Sequence, residues 1–238
     1  MQKNNLAIIL SGGKGQRFDL NKPKQFFEIN KKKILEYSVE EFKKTRQFNN
    51  IIIVSHKLLI KDTKNLFHEP NIKVIAGGAS RQKSVLAGLI EAKKFGPKYV
   101  LIHDAVRPFF SVNLILKILR DLKNKDAVIP YININDSVRL YKAQNYNDVQ
   151  RNNLKLIQTP QGFKFSKIYD AHIKFKNQEF TDDSIILHKS GGILKLISGE
   201  ISNFKITTKD DYELGKFIIK GRKDMSDIRV GTGFDVHK

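Results

Sequence analysis

The chain has no cysteine and no tryptophan, and only two methionines and six prolines in 238 residues. Without cysteine it has no disulfide, no thiolate metal ligand and no cysteine nucleophile. No apolar run approaches the ~20 residues that a bilayer-spanning helix needs, so no membrane partner is expected. The first apolar stretch, Leu6-Ala7-Ile8-Ile9-Leu10, ends in glycines and is too short for the core of a secretory signal. The expected location is the cytoplasm. Acidic residues are also scarce, 24 against 43 lysines and arginines, giving a net charge of +19. A nucleic-acid surface would gather such charge with stacking aromatics between the cations. Here the lysines are scattered, and the densest run, Lys31-Lys32-Lys33, has no interleaved aromatic. Most of the charge is therefore read as solvated surface, with no nucleic-acid partner.

Hydrophobic residues make up 40% and charged residues 28%, ordinary values for a globular protein with one substantial core. The most informative stretch is LAIILSGGKGQRFDLNKPKQF, residues 6–26. A buried strand runs into Ser11-Gly12-Gly13-Lys14-Gly15, followed by Arg17 and Lys24. Glycine allows backbone N–H groups to approach a ligand closely. Consecutive N–H groups form an anion-binding concavity, to which Arg and Lys add full charge. The spacing does not fit a Walker A loop, and a dinucleotide fingerprint would need glycine where Phe18 stands. The segment reads as a polyphosphate loop, the alternative being an ordinary strand-to-helix turn.

Apolar runs at 51–54, 72–75, 99–102 and 126–130 alternate with helical patterns at 34–46 and 80–95. In the second helix Val85, Leu86, Leu89 and Ile90 are assigned to one helical face. This is the pattern of an α/β protein with a mostly parallel sheet. The pattern breaks at 131–157, where short alternation and turn residues predict an extended β-hairpin arm. Further predictions are a helix from about 163, strands near 193–197 and 204–206, and a last helix over 208–220. Residues 221–227 read as a polar linker, and 228–238 as the opening strand of a further domain.

Loops after strands of an open α/β sheet face the ligand crevice. Four here carry charged or polar residues: the opening loop, Gly77-Gly78-Ala79-Ser80-Arg81, His103-Asp104-Ala105-Val106-Arg107, and Asn203-Phe204-Lys205-Ile206-Thr207. A carboxylate at position 104 suits Mg²⁺, which prefers carboxylate and phosphate oxygens, unless it simply caps a helix. His103 reads as a packed, hydrogen-bonding side chain. With no activated nucleophile in view, the fitting chemistry is nucleotidyl transfer. An acceptor phosphate attacks the α-phosphorus of a nucleoside triphosphate, and the catalyst aligns the attack and stabilises charge.

The ordered motifs SGGKGQRF, KPKQF, ILEYSV, GGASRQKSVLAGL, LIHDAVRPF, DSVR, TPQGF, TDDS and NFKITTKDDYELG resemble those of the 2-C-methyl-D-erythritol 4-phosphate cytidylyltransferase family over about residues 5–220. The resemblance implies a Rossmann-like nucleotidyltransferase fold for a domain at 1–220, and transfer of CMP from CTP to methylerythritol phosphate with Mg²⁺. It implies that Arg17 and Lys24 stabilise the pentacoordinate transition state and that Lys205 neutralises phosphate near the reacting centre. Ser11, Gly12, Gly13, Gly78, Arg81 and Ser84 would bind CTP, and Asp104 would hold Mg²⁺. Arg107, Ser137, Arg151 and Thr181 would contact methylerythritol phosphate. It also implies a homodimer whose arms reach over the partner's site, placing Ser137 and Arg151 in trans.

Three positions depart from the family pattern. Ser11-Gly12-Gly13 stands for the frequent Ala-Ala-Gly, Ala79 for a frequent acidic residue near the base, and Ser137 for a threonine. The tail IRVGTGFDVHK resembles the first strand of 2-C-methyl-D-erythritol 2,4-cyclodiphosphate synthase, with Asp235 and His237 at two zinc-ligand positions. Two ligands do not complete a zinc site, so Zn²⁺ is expected only with the rest of that domain. Two rivals are weighed: a ribitol 5-phosphate cytidylyltransferase, which lacks a reason for this tail, and a basic nucleic-acid-binding module.

Overall fold

The computed structural model describes residues 4–13, 23–142 and 145–226. Arg17, Asp235, His237 and the segment 228–238 lie outside the described residues. In chain order the elements are β1 (Asn5–Ser11), β2 (Glu28–Ile29), β3 (Lys32–Lys33), α1 (Ile34–Lys44) and β4 (Asn50–Ser55). They continue with α2 (Ile60–Lys64), β5 (Ile72–Ala76), α3 (Arg81–Lys93), β6 (Tyr99–Asp104) and α4 (Val112–Asp121). Then come β7 (Ala127–Asn133), β8 (Val138–Lys142), β9 (Asn145–Val149), β10 (Lys155–Ile157) and β11 (Gln161–Lys164). The last are α5 (Phe165–Lys174), α6 (Asp183–Lys189), β12 (Leu194–Ser198) and α7 (Lys209–Ser226).

The main sheet has the order β10-β7-β11-β6-β1-β4-β5, with β12 paired parallel to β7. Strands β5, β4, β1 and β6 are mutually parallel, while β11 and β10 run antiparallel to their neighbours. Parallel strands covered by helices on both faces read as continuous apolar runs, which is why β1, β4 and β6 were legible. In β1, Ala7 and Ile9 face one layer with Leu35, Phe42 and Leu114 of α1 and α4. Leu6 and Ile8 face the other, with Val85, Leu89, Ile168 and Leu187 of α3, α5 and α6. Helix α7 closes a smaller cluster of Ile29, Ile34, Phe109, Ile206 and Ile219.

Three expectations are corrected. On α3 the buried stripe runs through Val85, Gly88, Leu89 and Ala92, while Ile90 is 49% exposed and Leu86 only partly covered. The reason is Gly88: a Cβ there would lie 2.8 Å from Ile8 Cγ2 and 3.2 Å from Val54 Cγ2. The helix rotates that position onto β1 and β4. Residues 204–206 form no strand but an irregular stretch before α7; the backbone bond described there, Ile206 N–H to Val106 O at 2.9 Å, goes to a loop instead of a neighbouring strand. Residues 221–226 continue α7 instead of forming a linker. Gly221 costs a helix only ~1 kcal/mol, and the flanking Lys and Arg are good helix formers. The hairpin arm is present as β8 and β9, while 131–133 and 155–157 belong to β7 and β10 of the main sheet.

Gly88→Ala tests the close approach. Overpacking a core typically costs ~1–3 kcal/mol, against a gain of ~1 kcal/mol from alanine's helix propensity. The urea midpoint is expected to fall; a rise would show that α3 stands off the sheet.

Candidate functional site

Strand order reverses at β1, with β4 and β5 on one side and β6 on the other. In open α/β sheets the crevice at such a switch point, outside the carboxyl ends of the strands, binds ligands. Ser11 ends β1 and Asp104 ends β6 there.

The first wall of the crevice is the loop after β1. Its carbonyls are held from inside by Gln25, whose buried Nε2 donates to Ser11 O at 2.8 Å and Gly13 O at 3.3 Å. Gln25 sits in a 3-10 turn, Lys24–Phe26, entered through the extended Pro23. That turn fixes Lys24 beside the glycine loop, a role for Gln25 that sequence reasoning missed. The Ser11 hydroxyl is buried and has no hydrogen-bond partner among the described residues.

A second wall begins after β5. Gly77 N–H donates to Ser55 O at 2.7 Å. Gly78 N–H donates to Ser84 Oγ at 3.1 Å, and that hydroxyl donates to Ser80 O at 2.9 Å. Ser80 caps α3 by accepting from Lys83 N–H. A Cβ on Gly78 would fall 2.4 Å from Lys83 Cβ, so only glycine lets the loop lie on the first turn. Ser84 thus shapes this loop from within, and Gly78 and Arg81 sit at its two ends.

The centre of the crevice is a charge cluster. The Asp104 carboxylate, 11% exposed, receives Lys205 Nζ at 2.9 Å, Arg81 Nε at 3.6 Å and Arg107 Nε at 3.9 Å. Burial alone would raise its pKa. The three cations outweigh burial and hold the carboxyl well below the usual carboxylate range. Arg81 continues outward to the fully buried Asp183, with Nη1 2.7 Å from Oδ2, and His172 Nε2 meets the other oxygen at 3.1 Å. Burial would lower the Arg81 pKa, but Asp183 and Asp104 more than reverse it. Burial lowers the Arg107 pKa, offset in part by Asp104.

Lys205 reaches Asp104 across 101 residues of chain because its loop is stitched down. Asn203 Nδ2 donates to Thr159 O at 2.8 Å, and Arg107 Nη1 donates to Asn203 O at 3.0 Å. Gln158 Nε2 donates to Glu200 O at 2.8 Å, and Glu200 accepts from Ser111 N–H at 2.9 Å. Asn203 and Asp183 carried no sequence signal beyond membership of the NFK and TDDS stretches, and Gln158 and His172 lie outside every motif. His103, fully buried, bonds Thr159 Oγ1 and Arg107 O and is pushed down to about 3 by burial, so it is neutral at physiological pH. That matches the reading of it as a packed, hydrogen-bonding side chain.

Asp104, Arg81, Arg107 and Lys205 are therefore brought together, with the loops of Ser11–Gly13 and Gly78 along the same strand ends. Ser137 and Arg151 form a second group at the base of the arm. Both line a cleft of about 320 Å³, and Arg151 Nη1 donates to Asn135 O at 2.6 Å. Thr181 precedes Asp182, which caps α6 by accepting from Ser184 N–H and also receives Gln161 Nε2.

No group of three or more potential metal-ligating side chains occurs among the described residues. One hard carboxylate at the same strand ends as a glycine loop is nevertheless a donor of the kind Mg²⁺ takes, typically one or two carboxylates plus substrate phosphates. No helix among the described residues is long and apolar enough to cross a membrane.

The family model described as 2-C-methyl-D-erythritol 4-phosphate cytidylyltransferase matches residues 6–221. A protein of that description from Clostridium botulinum is 36% identical over 222 residues, covering 90% of this chain and 98% of that one. The bifunctional enzyme IspD/IspF of Pelagibacter ubique is 36% identical over 235 residues, covering 99% of this chain and 60% of that enzyme. This chain thus spans about 60% of the length of that curated relative. Among solved structures, the 4-diphosphocytidyl-2C-methyl-D-erythritol synthase of Anaerococcus prevotii superposes with a TM-score of 0.79 at 30% identity, covering 92% of this chain and 99% of that one.

Proposed function

Because this chain belongs to the 2-C-methyl-D-erythritol 4-phosphate cytidylyltransferase family, we propose that its charge cluster serves transfer of CMP from CTP to 2-C-methyl-D-erythritol 4-phosphate. The observation that carries this reading is the convergence of Lys205, Arg81 and Arg107 on Asp104 at the switch point. Such a site suits two anionic substrates that must be brought together. The unpartnered Ser11 hydroxyl beside the glycine loop adds a polar group for the nucleotide.

In this reading a phosphate oxygen of the acceptor attacks the α-phosphorus of CTP. A new P–O bond forms as the bond to the β-phosphate oxygen breaks, and pyrophosphate departs with that electron pair. The acceptor phosphate is already ionised at neutral pH, so no general base is needed. Lys24 and Arg17 would offset negative charge at the five-coordinate phosphorus, and Lys205 would relieve repulsion between the two anions. Ser11, Gly12, Gly13, Gly78, Arg81 and Ser84 would form the CTP site, Ser84 by holding its loop. Arg107, Ser137, Arg151 and Thr181 would meet the sugar phosphate. Asp104 is the residue that would hold Mg²⁺, which when bound supplies charge neutralisation on the triphosphate.

The arm's exposed Leu140 and Tyr141, 59% and 68% accessible, support a homodimer in which each arm covers the partner's site. The match to bifunctional relatives supports a larger protein with a second activity, to which Asp235, His237 and Zn²⁺ would belong.

Pyrophosphate release is expected only when CTP, Mg²⁺ and methylerythritol phosphate are all present. Equal turnover with ribitol 5-phosphate would overturn the choice of acceptor. Salt-dependent nucleic-acid binding without pyrophosphate release would favour the binding-module rival.

A further inference from the structure

The backbone around Asp104 is held by a hydrogen-bond chain whose direction can be worked out atom by atom. His103 is fully buried, packed between Phe42 and Phe110 with ring centroids 5.7 and 4.3 Å away. Its Nε2 lies 3.1 Å from the Arg107 carbonyl oxygen. A carbonyl only accepts, so Nε2 carries the proton. In the neutral ring Nδ1 is then an acceptor, and the group 3.0 Å from it is the Thr159 hydroxyl, which must donate. That leaves the Thr159 oxygen lone pairs to accept from Asp104 N–H, which approaches at 3.1 Å. Arg107 N–H closes the turn onto Asp104 O at 3.0 Å.

The imidazole therefore grips both ends of the 104–107 turn: Arg107 directly, and Asp104 through Thr159. We infer that His103 and Thr159 are a positioning pair for this turn, setting where the Asp104 carboxylate and the Arg107 guanidinium stand in the crevice. Neither side chain is placed to touch substrate. A phenylalanine at 103 would fill the same aromatic box but leave the Thr159 proton and the Arg107 carbonyl without this partner. The inference rests on the reading of Asp104 as part of the nucleotide site.

The test compares Thr159→Val, Thr159→Ser and Asp104→Asn in the full chain. Valine keeps the shape and removes the relay; serine keeps the hydroxyl. Thr159→Val is expected to lower kcat for pyrophosphate release by about 10- to 100-fold, the range that a small misplacement of site groups produces. Thr159→Ser should stay within about threefold of the parent by the same reasoning. Nitrogen-15 NMR of the His103 ring should show the Nε2-protonated tautomer, with an Nδ1 shift that moves toward that of a free acceptor in Thr159→Val. A purely structural role would lower thermal stability in Thr159→Val without the fall in kcat. Normal kcat in Thr159→Val alongside a collapsed Asp104→Asn, or an Nδ1-protonated ring, would overturn the inference. Normal turnover in Asp104→Asn would instead overturn the reading of Asp104, and the inference with it. Should Thr159→Val not fold, His103→Gln takes its place. With the glutamine Nε2 donating to Arg107 O, no acceptor stands at the former Nδ1 position that took the Thr159 proton, so the same fall in kcat is expected.

Discussion

Replacing Lys24 by alanine is expected to lower kcat for pyrophosphate release by roughly 10²–10³-fold, the range for loss of one group that stabilises transition-state charge. The backbone that carries this lysine is not free to adjust. Lys24 opens a 3-10 turn whose next residue, Gln25, is buried and bonded to two carbonyls of the glycine loop. Alanine leaves no cation at this place, and a water that enters the space carries no charge to replace it. Gln25 itself is unaltered in the variant, so the fold should persist and the thermal midpoint should stay close to the parent's. The check is a single-turnover assay with both substrates saturating, which separates the chemical step from binding. A kcat near the parent's would remove Lys24 from the transition state. If arms cross between subunits, mixing this variant with Arg151→Ala should restore part of the turnover. No restoration in demonstrated mixed dimers would place both residues in one subunit's site.

Asp104→Asn is expected to lose both turnover and stability. The substitution keeps the shape but removes the anion on which Lys205, Arg81 and Arg107 converge. Arg107, with a side chain 15% exposed, would then sit beside Arg81 with no carboxylate between them. Breaking a fully buried pair costs ~3–5 kcal/mol. Lys205 is 39% exposed and its contribution is screened by solvent. A loss on the order of 2 kcal/mol is therefore expected, read from the urea midpoint. The expected fall in kcat is about 10²-fold or more, since the variant also loses the site for Mg²⁺ and the anchor of Lys205. A variant that is less stable yet fully active would make Asp104 a structural anchor only.

The pH dependence has a definite sign. The Asp104 carboxyl is depressed in the folded state, so its contribution is complete above the ordinary unfolded value of ~3.9 and is lost as pH falls below it. The parent should therefore lose more stability on acidification than Asp104→Asn does.

The continuous apolar runs at 6–10, 51–54 and 99–102 announced buried parallel strands. The glycines at 12–13 and 77–78 announced turns after β1 and β5. Local chemistry was enough for this, because a strand covered on both faces and a loop needing close backbone approach each restrict which residues can occupy them. The hairpin arm was legible in part: alternation and turn residues at 131–157 do not suit a buried strand, and the hairpin itself occupies Val138–Lys142 and Asn145–Val149.

Other features depend on neighbours that the chain order does not reveal. Lys205 read as one residue of a short strand, but it lies in an irregular loop. Its place is set by Asn203 and Gln158, which bond across to Thr159 and Glu200. The Arg81–Asp183 pair joins positions 102 residues apart, and the His103–Thr159 contact joins positions 56 apart. No periodicity encodes such pairs, because any buried polar side chain can be satisfied by many partners.

The same division applies to the opening loop. The sequence by itself determined that Ser11-Gly12-Gly13 follows a buried strand and opens into a glycine loop, since glycine and strand burial are local properties. Only the tertiary structure decided that β1 lies beside β6, that Asp104 therefore stands at the same crevice, and that Arg81 and Lys205 from distant parts of the chain join Arg107 there. Burial forces the Asp104 carboxylate to find partners, and the packing of the strands determines which cations are within reach.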